Sequence, residues 1–483
     1  MAARKETAMN DNKVLHFFEE ISKIPRESGD EKAVSDYLVA FAKERSLEVY
    51  QDEVYNVIIK KPATVKTDCP PVIIQGHTDM VYVKAPDCKR DYSEGIGLIY
   101  KDGFLYADGT TLGADDGIAV AYALALLDSD DLPHPDIEAV FTVSEETGLI
   151  GAQKLDCSRL KGKYLLNLDT EEEGIFCTSC AGAFRNELFV PLSFEKRDGM
   201  QELSLSLGGL SGGHSGVEIH VGHGNGIVLM GRVLSALGDK VAVGAVTAEG
   251  KMNAICNNAA ARLFCRPEDL SAVEATVLDM EAKFVHELGD RDSVFLKLEK
   301  GSVCTAECYT EQTRQRVLAA LSLIPNGVLG MSFDIEGLVE TSANPGIVEQ
   351  GENELMILSS CRSSVGSRKE EMRQKYLALA ALCGGRSEFS GDYPMWEYKA
   401  DSPLRTLAME TYKELFGKEI VTMAIHAGLE CGHFAEKLPD TDIITYGPDL
   451  YDIHTPKERA NLESVERTWL LTKEILKRLA EQK

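Results

Sequence analysis

Short apolar runs, bounded by glycine or polar residues, recur along this chain, and each predicts a buried strand. Pro71 to Gln75 (P-V-I-I-Q), Ile137 to Val143 (I-E-A-V-F-T-V), Tyr164 to Leu168 (Y-L-L-N-L) and Ile443 to Tyr446 (I-I-T-Y) are of this kind. Gly76 is expected to end the first run and leave His77 at the strand tip. Apolar residues at three- and four-residue spacing predict helices over Val14–Ile24 and Lys32–Lys43. Strand and helix signals then alternate to residue 185, an α/β pattern. From 186 to 384 the pattern changes. Strands such as Glu202–Leu207 and Leu355–Ser360 mix with helices such as Gly226–Leu237, Leu270–Leu288 and Lys369–Leu382, which predicts an α+β domain. From 385 to 483 α/β signals return and close with a helix over Leu462–Leu479. No strong internal repeat and no low-complexity segment stands out.

Candidate chemistry follows each of those four strands, and a fifth acidic motif lies between the first two. His77 lies in G-H-T-D, Asp115 in G-A-D-D-G, Glu146 in S-E-E-T-G, Asp169 in N-L-D-T and His454 in D-I-H-T-P. Ligands in open α/β sheets gather beyond the carboxyl ends of strands. A two-metal hydrolytic centre needs a bridging carboxylate, further nitrogen and oxygen ligands on each ion, and a position left for water. This set can supply that: Asp115 as bridge, His77 and Asp169 on one ion, Glu146 and His454 on the other. Glu145 is the candidate general base. Asp79, two residues from His77, is the candidate for fixing its ring. Because His454 has to rejoin the first segment, residues 186–384 read as an insertion. The expected fold is an α/β, mixed-sheet catalytic domain in two pieces (1–185 and 385–483) around an inserted α+β lid.

G-H-T-D-M-V, T-L-G-A-D-D-G-I-A-V-A and S-E-E-T-G-L-I-G-A resemble the co-catalytic zinc metallopeptidase family of dipeptidases, carboxypeptidases and aminoacylases. I-S-K-I-P-R-E-S-G-D-E, S-G-G-H-S-G at 211–216, H-A-G-L-E-C-G at 426–432 and D-I-H-T-P-K-E-R ending at Arg459 narrow the resemblance. They are similar to the aminoacyl-histidine (Xaa-His, cytosolic nonspecific) dipeptidases, from Val14 to the C-terminus. The resemblance implies a metal-dependent dipeptidase of broad specificity acting on Xaa-His dipeptides such as β-alanyl-histidine. It implies two Zn2+ ions, with Mn2+ or Co2+ as alternatives, on His77, Asp115, Glu146, Asp169 and His454. Glu145 is then the general acid/base, Asp79 orients His77, and His214 in the lid polarises the scissile carbonyl. Asn253 and Arg362 correspond to lid residues that hold the substrate's carboxylate end; Glu430 and His426 fall in a motif near the site, and Glu430 is expected among the substrate-binding residues. Asp116 stands where relatives often carry Asn, which leaves Asp116 as the alternative bridge. A cis peptide is expected at Asp115–Asp116. Short-lidded relatives dimerise and share the lid histidine. At about 200 residues, this insertion is long enough for two lobes in one chain, with His214 acting in cis or a homodimer as the alternative. The rival readings are an N-acyl amino acid deacylase on the same fold and a non-catalytic metal- or peptide-binding scaffold.

Composition narrows the partners. The chain has 483 residues, 44% of them hydrophobic, enough for two or three domains with cores. A net charge of −26 argues against nucleic acid, whose phosphates need a basic face. No run of about 18 apolar residues predicts a membrane helix. The N-terminal M-A-A-R-K-E-T-A-M-N-D has no apolar signal region, and twelve cysteines follow no framework, so a reducing cytoplasm is expected. Several polar residues read more simply. Glu171–Glu173 are expected to be surface charge, Cys177 and Cys180 buried thiols, His220 and His223 structural or surface, and His134 a loop residue. G-G-L-S-G-G-H lacks the lysine of a phosphate-binding loop.

Overall fold

The computed structural model describes residues 12–482. Two compact units emerge. The first comprises the chain to Ser179, Tyr398–Ala424, and Leu429 onward; the second comprises Cys180–Glu397 with Ile425–Gly428. The boundaries expected at 185/186 and 384/385 move to 179/180 and 397/398. The strands Gly182–Pro191 and Arg386–Tyr393 pair with each other and so both belong to the second unit.

The first unit is built on an eight-stranded mixed sheet. Its order is Glu48–Gln51, Val57–Lys61, Ile137–Thr142, Val72–His77, Tyr164–Asn167, Asp442–Thr445, Ile175–Cys180 and Val421–Ile425. The central four strands run parallel, and each is buried along almost its whole length. Burial on both faces explains the unbroken apolar runs, in contrast to the alternation of a half-exposed sheet. Gly76 does not end its strand. Pairing continues through Gly76↔Phe141 and His77↔Thr142, and His77 is the last strand residue. The helix Ala114–Leu127 is buried at every residue, which fits its lack of a polar face. Asn12 and Asn461 cap the helices Lys13–Ser22 and Leu462–Glu481 by accepting backbone N–H groups. No helix among the described residues is long and apolar enough to cross a membrane.

The second unit holds two antiparallel sheets over a shared core. The inner lobe runs strand Phe194–Gly208, helix Gly226–Leu237, strands Val241–Thr247 and Ala259–Cys265, helix Leu270–Leu288 and strand Phe295–Tyr309. The outer lobe runs strand Gly182–Pro191, helix Glu311–Leu323, strands Val339–Gln350 and Glu354–Ser363, helix Gly366–Leu382 and strand Arg386–Tyr393. An added edge strand, Gly327–Met331, pairs with Val339–Gln350. Each lobe is therefore strand–helix–strand–strand–helix–strand, with its strands ordered second, third, first, fourth. The inner lobe is spliced in after the first strand of the outer one. This is an internal repeat of topology that the sequence pattern does not reveal.

Candidate metal centre

In the first unit, His77, Asp79, Asp115, Glu145, Glu146, Asp169 and His454 converge. His77 Nε2 stands 3.1 Å from Asp115 Oδ1 and 3.8 Å from Asp169 Oδ1. His454 Nε2 stands 3.2 Å from Asp115 Oδ2 and 2.7 Å from Glu146 Oε1. Three groups of ligand atoms lie within 4.8 Å of one another: His77–Glu145–Glu146, and the two triads His77–Asp115–Asp169 and Asp115–Glu146–His454. Asp115 belongs to both, presenting one oxygen to each histidine. Asp116 belongs to neither: its Oδ2 accepts the backbone N–H of His77 at 3.1 Å. That contact needs Gly76, where a Cβ would lie 2.6 Å from Asp116 Oδ2 and 2.5 Å from Ala119 Cβ. The Asp115–Asp116 peptide is cis, as expected.

Asp79 does more than the sequence suggests. Its Oδ1 lies 3.3 Å from His77 Nδ1 and accepts the Glu145 N–H at 3.0 Å; its Oδ2 accepts Ser28 Oγ–H at 2.8 Å and the Glu146 N–H at 3.3 Å. One buried carboxylate thus fixes both the first imidazole and the turn bearing the paired glutamates. Glu31 holds the same turn, accepting from the Ser144 N–H and hydroxyl. Arg26, Ser28, Glu31 and Glu458 were not singled out by sequence reasoning. Arg26, Ser28 and Glu31 fall in the I-P-R-E-S-G-D-E segment, and Glu458 four residues after His454, so charged residues inside family-like motifs were the available signal.

The electrostatics show what such a cluster needs. Burial, with Glu430, Glu146 and Asp115 prevailing over His77, pushes the Glu145 carboxyl up to about 8. Burial, Asp116 and Asp115 likewise raise Asp169. Burial opposes the charge on Asp115 too, but hydrogen bonds from His454 and His77 hold it below the usual carboxylate range. Hydrogen bonds to Asp115 and Glu146 push His454 up to about 10. Buried carboxylates are stable when paired or metal-coordinating. Ligand atoms on a tetrahedral zinc lie about 3.3 Å apart. The donor set and its spacing therefore fit a pair of divalent cations.

Glu430 is a correction. It was expected to touch substrate, but it opens the helix Glu430–Lys437 fully buried, with Oε2 accepting from Gln75 Nε2 at 2.6 Å and Thr142 Oγ1 at 2.7 Å. Burial pushes it up to about 7. Glu173, expected on the surface, forms a bidentate pair with Arg467, its Oε1 accepting from Nε and its Oε2 from Nη2. His134 is a loop residue but is fully buried. Cys177 and Cys180 are buried, as expected.

The remaining expected residues lie in the second unit. Gly216 is the centre of a small polar group there. A Cβ on it would meet His426 O at 2.9 Å, His214 Cε1 at 3.1 Å and Arg362 Nε at 3.2 Å. His214 Nδ1 accepts the N–H groups of Gly216 and Val217, which leaves Nε2 as its donor. Asn253 accepts the Ser215 N–H through its carbonyl, and its side chain is exposed. Arg362 donates to Tyr393 Oη at 3.0 Å, and His426 Nε2 lies 2.7 Å from Ser342 Oγ.

The model of peptidase family M20/M25/M40 matches residues 73–478. The cytosol non-specific dipeptidase of Escherichia coli (strain K12) is 35% identical over 473 residues, covering 96% of each chain. The crystal structure of aminoacylhistidine dipeptidase from Vibrio alginolyticus superposes with a TM-score of 0.92 at 34% identity, over 98% of this chain and 97% of that one. Aminopeptidase PepT from Bacillus cereus shares the fold, with a TM-score of 0.56 at 17% identity over 97% of this chain and 98% of that one.

Proposed function

The chain belongs to peptidase family M20/M25/M40, a family of metal-dependent peptidases, and from that membership we propose a dipeptidase of broad specificity that accepts Xaa-His dipeptides such as β-alanyl-histidine. The observation that carries the reading is Asp115 shared between two ligand triads, with Glu145 beside them. His77 and Asp169 would hold one ion, Glu146 and His454 the other, with Asp115 common to both. Zinc suits the mixed nitrogen and oxygen donors, and manganese or cobalt are the alternatives. Such a pair, when bound, acidifies water at neutral pH and neutralises charge on the reacting oxygen.

The protein's own groups do the rest. Glu145 takes the proton of the attacking water and returns it to the leaving amine. A carboxyl whose surroundings favour the protonated form is suited to both transfers. Asp79 keeps the Glu145 backbone and the His77 ring in one frame. From the second unit we assign His214 Nε2–H to the developing oxyanion and Arg362, with Asn253, to the substrate carboxylate, for which a planar guanidinium is suited. Two lobes of like topology in one chain support His214 acting within its own subunit. The E. coli relative is named as a cytosolic enzyme, and we place this chain in the cytoplasm on that likeness.

The test is a panel of dipeptides including β-alanyl-histidine, set beside N-acetyl amino acids and assayed with chelated and with zinc-reloaded protein. Zinc-dependent release of histidine is expected. Cleavage of the N-acetyl substrates alone would replace the dipeptidase with a deacylase, and no turnover at all would leave a binding scaffold.

A further inference from the structure

Glu458 is almost completely buried, and its carboxylate accepts four consecutive backbone N–H groups. Oε2 takes Leu112 at 2.7 Å and Gly113 at 3.0 Å; Oε1 takes Ala114 at 2.8 Å and Asp115 at 3.5 Å. These N–H groups form the entry to the Asp115 helix. The carboxylate reaches them from a loop more than 340 residues further along, four positions beyond His454. Arg26, also buried, grips the same segment from its carbonyl side. Its Nη2 donates to Gly113 O at 2.5 Å, and its Nη1 donates to Thr78 O at 3.0 Å and Asp79 O at 3.3 Å. Room for the guanidinium exists only because positions 113 and 117 are glycine. A Cβ at Gly113 would lie 2.6 Å from Arg26 Nη2, and one at Gly117 would lie 2.5 Å from it.

We infer that Arg26 and Glu458 are a paired brace that sets Asp115 between the two ligand triads. Arg26 ties the segment to the His77–Asp79 strand end, and Glu458 ties it to the His454 loop. The inference rests on the metal-centre reading above and extends it. Neither residue touches an ion or a substrate; both are positioning residues. Hydrogen-bond partners behind metal ligands typically carry about 10–100-fold in metal affinity. A carboxylate bound by four N–H groups cannot be replaced by an amide, which turns one acceptor into a donor facing two of them.

Zinc affinity is to be measured by chelator competition on metal-stripped wild type, Glu458→Gln and Arg26→Lys, with thermal unfolding of each stripped protein and kcat and KM of each loaded one. The brace requires both variants to bind zinc about 10–100-fold more weakly, and kcat to fall while KM stays near wild type. Arg26→Lys keeps the charge and serves if Glu458→Gln does not fold. Variants that lose thermal stability yet bind zinc as wild type would overturn the brace and leave two structural residues. Wild type that takes up no zinc would overturn the metal-centre reading, and the brace with it.

Discussion

At the scale of single residues, the division of labour between Glu145 and its neighbours is open to direct test. Glu145→Gln should cut kcat by about 10²–10⁴-fold while zinc content stays at the wild-type level. A metal-binding scaffold would show no activity to lose. The pH behaviour follows from the same carboxyl. Its folded-state value of about 8 lies above the ordinary 4.5, so between the two the folded protein keeps a proton that the unfolded chain releases. Stability from this group is complete below pH 4.5 and is lost as pH rises toward 8. Glu430, at about 7, acts in the same sense. Metal-free protein followed by thermal unfolding from about pH 5 to about pH 9 should lose Tm steadily, and Glu145→Gln should flatten the slope. Zinc needs deprotonated ligands, so the advantage of loaded over stripped protein should widen over that range. The proposed ligands stood out because each lies in a short local motif, four of them at or shortly after a strand end and Asp115 at a helix start. Glu458 and Arg26 were not, because nothing local distinguishes a buried charge from a solvated one. Their roles exist only once distant segments meet, and Glu430 misled for the same reason.

At the scale of elements, local signals worked where one helix or strand decides its own ends. Gly226–Leu237 and Leu270–Leu288 occur at the expected bounds, each followed by a glycine with positive φ. Gly76 went the other way, since a glycine read as a strand stop is needed for close approach of the Asp115 helix. That helix has a second dependence, at its far end. Lys61 is 6% exposed and donates to the carbonyls of Leu126, Leu127 and Ser129, closing the helix C-terminus. Lys61→Met takes the donor from Leu127 O and Ser129 O, while Leu126 O keeps the Ser129 N–H, and should cost about 1–3 kcal/mol. The check is a lower denaturant midpoint at unchanged slope, with kcat of the loaded enzyme unaffected because the change lies at the opposite end of the helix.

At the scale of the whole molecule, the discontinuous first unit was readable from one constraint, that His454 must rejoin His77. The length of the insertion pointed to two lobes, and two are found, but their shared strand order and their nesting were not readable. The repeat is in strand order rather than in side chains, and one copy interrupts the other. The long segment Cys180–Glu397 of the second unit starts and ends side by side, with Cys180 N–H donating to Trp396 O at 3.0 Å. Replacing residues 180–397 by a short glycine–serine turn should therefore leave a first unit that folds and takes up zinc. Peptide hydrolysis should be abolished, because His214, Asn253 and Arg362 are gone. Zinc titration and the dipeptide assay on that shortened chain check both halves.

The nesting also fixes an order of events during synthesis. The inner lobe is one continuous stretch, Phe194–Tyr309, and can close while the rest is still being made. The ligand set cannot. Asp169 precedes His454 by 285 residues (454 − 169), which at ribosomal speeds is on the order of 15–60 s. Four of the five proposed ligands thus precede the fifth by the whole of the long insertion. On the proposed ligand set, a full pair of ions can therefore be held only after the His454 loop has been made and has joined the sheet.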